Sequence, residues 1–260
     1  MAGARADIDL VGDIDNDGLY TNRDVRLLVD YIMGRDTLDF YNGHEWVDLG
    51  LPSGRLWATM NVGATLPSEA GGYFAWGETE EKEVYTWDNY KWADSDTLLS
   101  RYCRDSIDGV VDSLGALVAG DDAARQRMGG RWRMPTLRET FELYQQCSWQ
   151  AENRDGQAGF LVTGTNGNSI FLPMAGYREG SNYVNEGSEG YIWANELNYN
   201  TNDESYGLFF ISYYKWWAIR PRYTGRTVRA CAHSPRQIYD VNQDGKVSLA
   251  DITALVNLVF

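Results

Sequence analysis

The stretch His44-Glu-Trp-Val-Asp-Leu-Gly-Leu-Pro-Ser-Gly-Arg-Leu-Trp57 alternates short apolar runs and interrupts them with glycine and proline. Alternation with a period of two is typical of strands, and glycine and proline concentrate in the turns that join strands. The stretch therefore predicts a β-hairpin. Similar patterns downstream predict further strands at Gly72–Trp76, Gly159–Val162, Ser169–Leu172, Leu208–Ser212 and Thr227–Cys231.

Two helices are expected among these strands. One covers Asp121–Met128 and ends at the glycine pair that follows it. The other follows Thr136, which forms a capping box with Glu139, and runs to about Cys147. Many short strands with two helices predict an α+β domain rather than alternating βαβ units. This middle domain spans about residues 44–233.

A family resemblance becomes recognisable at several motifs of the middle domain. They are Trp46-Val-Asp-Leu-Gly-Leu-Pro-Ser-Gly-Arg-Leu-Trp-Ala-Thr-Met-Asn-Val-Gly-Ala-Thr65, Tyr73-Phe-Ala-Trp-Gly-Glu-Thr79, Trp132-Arg-Met-Pro-Thr136, Gly167-Asn-Ser-Ile-Phe-Leu-Pro173, Ala175-Gly-Tyr-Arg178 and Thr227-Val-Arg229. Together they resemble the Fibrobacter succinogenes major paralogous domain, with Met60 standing where that family often has cysteine. The resemblance implies a C-type-lectin-like fold of the formylglycine-generating-enzyme type, which is abundant in surface proteins of gut Bacteroidetes.

The variable proteins of diversity-generating retroelements share this fold and bind ligands through a hypermutated stretch near the end of the lectin-like domain. The matching residues here, 181–223, are rich in aromatic residues and asparagine, as adenine-directed mutation of asparagine codons would make them. Trp216 and Trp217 cannot arise in that way. The resemblance thus predicts a protein or glycan ligand. The predicted ligand-binding residues are Tyr183, Asn185, Asn195, Asn198, Tyr199, Asn200, Asn202, Tyr206, Tyr213, Tyr214, Trp216, Trp217, Arg222 and Tyr223.

The run Tyr213-Tyr214-Lys215-Trp216-Trp217 is the densest aromatic segment of that stretch. Neighbouring side chains of a strand point to opposite faces, so a single core cannot take all four rings. Exposed Tyr and Trp are favoured contact residues, which supports a binding surface, and packing beneath loops is the alternative. Trp193, in contrast, is expected in the core. Structural roles at buried carbonyl or carboxylate groups are expected for Arg220, Arg226 and Arg229.

Two segments of similar sequence lie near the ends of the chain, at Asp13–Asp24 and Asp240–Asp251. Calcium takes six to eight oxygen ligands, and loops of this type supply them around a glycine at position 6. The predicted ligands of two calcium ions are Asp13, Asp15, Asp17, Leu19, Thr21 and Asp24 in the first loop, and Asp240, Asn242, Asp244, Lys246, Ser248 and Asp251 in the second. Leu19 and Lys246 would contribute their backbone carbonyls.

An amphipathic helix is predicted after each loop. Both loops end in a capping box with Asp in the role usually taken by Glu or Gln, and the first helix is expected to stop at Gly34. The apolar stripes of the two helices match position for position with helical spacing. They are Val25, Leu28, Val29 and Ile32 in the first helix, and Ile252, Leu255, Val256 and Val259 in the second.

These loop–helix units, at residues 8–36 and 237–260, resemble the two halves of a dockerin, separated here by the middle domain. One such unit cannot bury its own apolar stripe, so we expect the two ends to pair in an intramolecular clasp stabilised by calcium. Dockerins usually bind cohesins, and a cohesin partner is the alternative. The pairs Asn22-Arg23 and Leu249-Ala250 stand where type I recognition commonly uses Ser-Thr, which favours the clasp.

The composition limits the remaining classes of function. The net charge of −14 argues against nucleic acid and anionic membrane surfaces as partners. Cys103, Cys147 and Cys231 fit no zinc spacing and are expected to be buried thiols, with one disulfide as the alternative. No apolar run reaches membrane-spanning length, and the first residues lack the apolar core of a signal peptide. A secreted or cell-surface location therefore requires that a signal has been removed.

No catalytic constellation stands out in the sequence. The only two histidines, His44 and His233, flank the middle domain, and no phosphate loop, zinc signature or Ser/His/Asp order is recognisable. We therefore expect a binding protein without enzymatic activity. A calcium-dependent sugar lectin is an alternative. The motifs Glu-Pro-Asn, Gln-Pro-Asp and Trp-Asn-Asp, which are usual in such sites, are absent, and Thr201-Asn-Asp203 resembles the last of them only weakly.

Overall fold

A computed structural model describes residues 11–14, 19–33, 40–41, 43–94, 98–234 and 239–260. It shows small antiparallel sheets and few helices, so the expected α+β class is confirmed at that level. Asp15, Asp17, the predicted helix stop at Gly34, both limits of the first end unit and the first residues of the second lie outside the described residues.

In chain order the elements are α1 (Asn22–Ile32), β1 (Phe40–Tyr41), β2 (His44–Asp48), β3 (Arg55–Ala58), α2 (Ala123–Met128), α3 (Leu137–Gln146), β4 (Ser148–Arg154), β5 (Gln157–Thr163), β6 (Ser169–Pro173), β7 (Tyr177–Glu179), β8 (Asn182–Val184), β9 (Gly190–Leu197), β10 (Glu204–Ile211), β11 (Tyr214–Pro221), β12 (Cys231–His233) and α4 (Leu249–Val259).

The hairpin predicted from residues 44–57 is formed by β2 and β3, with Val47 opposite Trp57. β1 and β12 extend it to a sheet of order β1-β2-β3-β12. Two three-stranded sheets follow, β4-β5-β6 and β9-β10-β11, and β7 pairs with β8. The predicted strands near residues 159, 169 and 208 are confirmed as parts of β5, β6 and β10.

Two predicted strands are wrong. At Gly72–Trp76 only Phe74 forms a bridge, because the backbone N–H groups of this segment donate to separate parts of the chain, Gly72 to Val62, Phe74 to Arg226 and Trp76 to Arg222. The segment Thr227–Cys231 contributes only an isolated bridge at Thr227 before β12 begins at Cys231. An alternating pattern without one continuous partner gives buried, extended chain but no strand.

Both middle-domain helices form near their predicted positions. α2 begins after Asp122, whose side chain accepts a hydrogen bond from Arg125 N, and ends at Gly129 with a positive φ of 68°. α3 carries the predicted capping box between Thr136 and Glu139. Asp121, where the first of these helices was predicted to begin, lies instead in a short 3₁₀ turn formed by residues 119–121.

The core is built on fully buried tryptophans. Trp193 is among them, as predicted, and its Nε1 donates to Phe74 O, while Trp76 Nε1 donates to Ala194 O. Buried indole rings need such partners because an unpaired N–H in the interior costs stability. The three cysteines are free thiols, and Cys103 and Cys231 are fully buried.

Two of the arginines expected to be structural are fully buried and bonded as predicted. Arg229 donates to Asn61 Oδ1 and to the carbonyl oxygens of Ala58, Thr59 and Phe171. Arg226 lies 3.4 Å from Glu189. Arg220 is only half-buried and donates to the carbonyl of its neighbour Ile219.

The end helices α1 and α4 pack against each other, as their matching stripes predict. Leu28 and Leu255 are fully buried between them, and Tyr31 contacts Tyr239 with ring centroids 4.4 Å apart. Among the described residues, no helix has the length and apolar character needed to cross a membrane.

Candidate functional site

The second calcium-type loop is described along its whole length. Asp240 accepts hydrogen bonds from Asp244 N at 3.0 Å and from Gly245 N at 2.8 Å, and Asp244 Oδ1 accepts from Lys246 N at 2.9 Å. Asp251, at the twelfth position, is fully buried and accepts from Ser248 N at 2.7 Å. These bonds hold the loop in a closed turn around its acidic side chains, and Gly245 has the positive φ of 84° that the turn requires.

The first loop closes with the same bond at its twelfth position. Asp24 is fully buried and accepts from Thr21 N at 2.8 Å and Thr21 Oγ1 at 3.0 Å, as Asp251 does from Ser248. Its other oxygen accepts from Ile14 N at 2.6 Å. Asp13 is also buried, whereas Leu19, whose carbonyl was predicted as a ligand, has an exposed side chain.

The chemistry of both loops matches the oxygen preference of calcium. Carboxylate, amide and hydroxyl oxygens are the donors available, and calcium binds such hard oxygen ligands in flexible cages. Buried carboxylates at Asp13, Asp24 and Asp251 also favour a nearby cation, since a cation lowers the cost of keeping negative charge away from water. Within the described residues, no group of three or more acidic, histidine or cysteine side chains is arranged so that it could hold a metal ion.

Four of the predicted ligand-binding residues are buried and so do not belong to the exposed surface. Arg222 donates from Nε to Tyr90 Oη at 2.9 Å and from Nη1 to Asn202 O at 2.7 Å. Asn202 Nδ2 in turn donates to Asp108 at 2.6 Å. Asn198 is almost fully buried and donates to Thr201. These three side chains hold loops together, and Tyr206 fills the interior beside them.

An exposed aromatic surface remains where β9–β11 and their loops meet solvent. The exposed fractions are 69% for Tyr199, 87% for Tyr213, 50% for Tyr214 and 37% for Trp217. Trp217 contacts the ring of the buried Tyr206 at a centroid distance of 5.7 Å, and Tyr206 contacts Tyr199 at 5.6 Å. We call Tyr199, Tyr213, Tyr214 and Trp217 the aromatic surface.

A groove of about 490 Å³ borders Tyr199. Both apolar and polar side chains line it. They are Pro52, Leu137, Arg138, Phe141, Glu142, Gln145 and Glu196. Burial raises the pKa of Glu196, whose carboxylate accepts a hydrogen bond from Leu137 N. The groove thus offers ring and aliphatic faces beside hydrogen-bonding groups.

Trp216 does not belong to the exposed set. Its ring packs edge-on against Phe141 and Tyr144 of α3, at centroid distances of 5.7 and 5.0 Å. The contact between this predicted helix and Trp216 was not expected from the sequence, although Phe141 and Tyr144 are three residues apart and therefore share a helical face. That spacing was the available signal for an aromatic contribution from α3.

The other predicted contacts are spread over the domain. Tyr183 is exposed and lies under Arg178, with the guanidinium carbon 4.1 Å from the ring centroid. Asn185 is exposed and donates to Glu189, and Asn200 is exposed beside Tyr199. Asn195 is half-buried and lines a separate cavity.

Tyr223 is half-buried rather than a free surface ring. Its hydroxyl donates to Glu179 at 2.6 Å, and burial together with this bond raises the pKa of Tyr223 to about 12. Its ring packs against Trp87 at a centroid distance of 4.9 Å. Tyr223 therefore fixes the position of its loop.

Comparison with family models, with curated proteins and with solved structures finds no match for this chain.

Proposed function

We propose that the protein is a secreted or cell-surface binding protein with a C-type-lectin-like middle domain and no enzymatic activity. The aromatic surface beside the α3 groove is the observation that carries this proposal. Solvent-exposed Tyr and Trp in this density are costly for solubility and are enriched at contact sites, where rigid rings bury large area at low entropic cost. The retroelement resemblance gives a reason for their concentration within residues 181–223.

The groove favours a glycan over a flat protein surface. Sugar rings present C–H faces that pack on aromatic rings and hydroxyl groups that bond carboxylate, amide and guanidinium groups. Tyr199 and Phe141 supply the first kind of contact, and Glu142, Gln145 and Arg138 supply the second. A protein ligand would instead cover the whole aromatic surface, including Tyr213 and Tyr214 at its far end.

Replacing both Tyr199 and Trp217 by alanine should weaken ligand binding by about 2 kcal/mol, or about thirtyfold in Kd, because hot-spot rings dominate such contacts. The wild-type chain is first screened on glycan and peptide arrays, and the affinity of each hit is measured by calorimetry. Ile107→Ala is the matched control, since Ile107 is a similarly exposed apolar residue outside the aromatic surface. Hits whose affinity is equal for wild type and double variant would refute the proposed surface.

Calcium has a structural place in this proposal. The two oxygen-rich loops would each hold one ion and lock α1 onto α4, with calcium supplying a charge that offsets the buried carboxylates. Extracellular calcium suits such loops, since modules outside the cell work with millimolar affinities. The α1–α4 contact buries Leu28 and Leu255 and partly covers Val25, Ile32 and Ile252 within this chain, which favours the clasp over cohesin docking.

A further inference from the structure

A second cavity, of about 550 Å³, lies apart from the aromatic surface and the calcium loops. Asn195 lines it, whereas the next residue of β9, Glu196, lines the α3 groove. Successive side chains of a strand point to opposite faces, so β9 separates the two spaces. The remaining wall comes from residues 113–119 and from a group of charged side chains. That group comprises Arg55, Asp122, Arg125, Arg133 and His233.

The charge of this cavity is opposite to that of the whole protein. Three guanidinium groups line it, whereas the chain carries a net charge of −14. The only carboxylate among the lining residues, Asp122, is turned into the protein, where it accepts from Arg125 N at 3.0 Å and Met134 N at 2.8 Å. A local concentration of arginine side chains creates a positive potential, which attracts anions even when the net charge of the protein is negative.

Two of the three guanidinium groups, those of Arg55 and Arg133, are bonded to Glu139, which is not among the lining residues. Arg55 Nε donates to Glu139 at 2.5 Å, and Arg133 donates both of its terminal nitrogens to the same carboxylate at 2.7 and 2.8 Å. Such paired bonds orient the planar groups and reduce the entropy that a ligand would have to remove. The cavity is therefore preorganised without a ligand.

Two side chains that line this cavity each hold one buried polar atom that makes no hydrogen bond to any residue that the structure describes. One is Arg55 Nη1, a donor, and the other is Asn195 Oδ1, an acceptor. A buried polar atom without a partner costs about 1–3 kcal/mol, and proteins seldom keep one without a use. A ligand that satisfies both must carry an anionic oxygen for Arg55 and an N–H or O–H group for Asn195.

We propose that this cavity binds a small carboxylate that also bears a hydroxyl or ammonium group, such as a hydroxy acid, an amino acid or a uronic acid. Arg55 and Arg133 would receive the carboxylate, the group that planar guanidinium matches best. Asn195 Oδ1 would accept from the hydroxyl or ammonium group. Sulfate offers no such donor and would place negative oxygen against the amide oxygen. The volume lies within the range of small-molecule sites.

The proposal is tested by calorimetric titration of the full chain with L-lactate, L-alanine and D-glucuronate, with acetate, sulfate and D-glucose as comparators. We expect at least one of the first three to bind about tenfold more tightly than acetate and sulfate, and glucose not to bind. Which of these three acids binds shows whether the donor is the hydroxyl group of a hydroxy acid, an ammonium group or the hydroxyl group of a sugar. Failure of all three to bind with a Kd below about 10 mM would overturn the proposal.

Variants at Asn195 test the interaction with the donor group of the ligand, and a variant at Arg55 tests the interaction with its carboxylate. Asn195→Asp should weaken binding about tenfold or more by placing a like charge beside the carboxylate, and Asn195→Ala should bind the preferred acid no better than acetate. Arg55→Lys keeps the charge beside Glu139 but removes Nη1, so its affinity should fall while its fold is retained. Unchanged affinity in both Asn195 variants would refute the site.

Two controls distinguish this site from long-range charge and from the proposed aromatic surface. Arg127→Gln removes a cation that lies two residues from Arg125, pairs with the exposed Glu80 and does not line the cavity. Its anion affinity should equal that of the wild type. The Tyr199→Ala/Trp217→Ala variant should also keep full anion affinity, so either proposal can fail while the other stands.

Discussion

Replacing Glu139 by glutamine is expected to lower the free energy of unfolding at pH 7 by about 3 kcal/mol. The Glu139 side chain is 6% exposed and is the shared counter-ion of Arg55 and Arg133. Removing its charge leaves two largely buried guanidinium groups facing each other without compensation. Glutamine also forms capping boxes at this helix position, so the substitution tests the charge rather than the start of α3.

The pKa of Glu139 predicts how this effect depends on pH. Burial alone would raise the pKa, but the hydrogen bonds and charges of Arg133 and Arg55 outweigh it and lower the pKa from 4.5 to about 2. A depressed pKa in the folded state contributes stability that is present above pH 4.5 and is lost as the pH falls towards 2. At about 1.4 kcal/mol per pKa unit, the shift corresponds to about 3 kcal/mol, in agreement with the expected cost.

Urea denaturation of wild type and Glu139→Gln between pH 7 and pH 2.5 measures both quantities. The difference in unfolding free energy should be largest at neutral pH and should shrink below pH 4.5. Glu152→Gln is the matched control, because Glu152 forms a more exposed ion pair with Arg154 on β4. Its cost should stay below about 1 kcal/mol. A Glu139→Gln penalty that is the same at all pH values would contradict the ion-pair explanation.

Local patterns in the sequence were enough for the hairpin, for the capping box of α3 and for the pairing of the end helices. In each case the partners are close in sequence or repeat the same spacing. The irregular pairing of the segment around Phe74 could not be predicted from local patterns, because its hydrogen-bond partners, Val62 and residues 222–226, come from separate parts of the chain. Strand prediction from one segment cannot show whether a continuous partner exists.

The candidate site residues show the same difference between what local spacing predicts and what depends on the folded structure. Spacing identified the twelfth-position carboxylates Asp24 and Asp251, which the structure places in equivalent buried positions. Composition proposed Asn198 and Arg222 as contacts, but composition does not distinguish a side chain that fastens a loop from one that meets a ligand. The arginine cavity was not predicted as a site, although Asn195 was among the predicted contacts, since Arg55, Arg133 and Asn195 are far apart in the sequence.

Adding calcium to the chelated protein is expected to stabilise the α1–α4 unit by about 2.7 kcal/mol per ion when the free ion exceeds its Kd about a hundredfold. Scanning calorimetry with calcium chloride and then with EDTA measures the shift in the unfolding transition. Asp251→Asn should remove the contribution of the second loop, because it neutralises the buried twelfth-position ligand. Asp94→Asn, at an exposed acid of the middle domain, should leave the shift unchanged. No calcium-dependent shift in the wild type would refute the calcium loops.

Leu28→Ala distinguishes a clasp from two independent loops. Leu28 is fully buried between α1 and α4, so its truncation should weaken the helix pairing by about 2–5 kcal/mol without altering a calcium ligand. If metal binding and pairing are coupled, whatever weakens the pairing must also weaken calcium binding, because the two are linked equilibria. The clasp therefore predicts a reduced calcium affinity for Leu28→Ala in calorimetric titration. Loops that bind calcium independently of the pairing would keep the wild-type affinity in this variant.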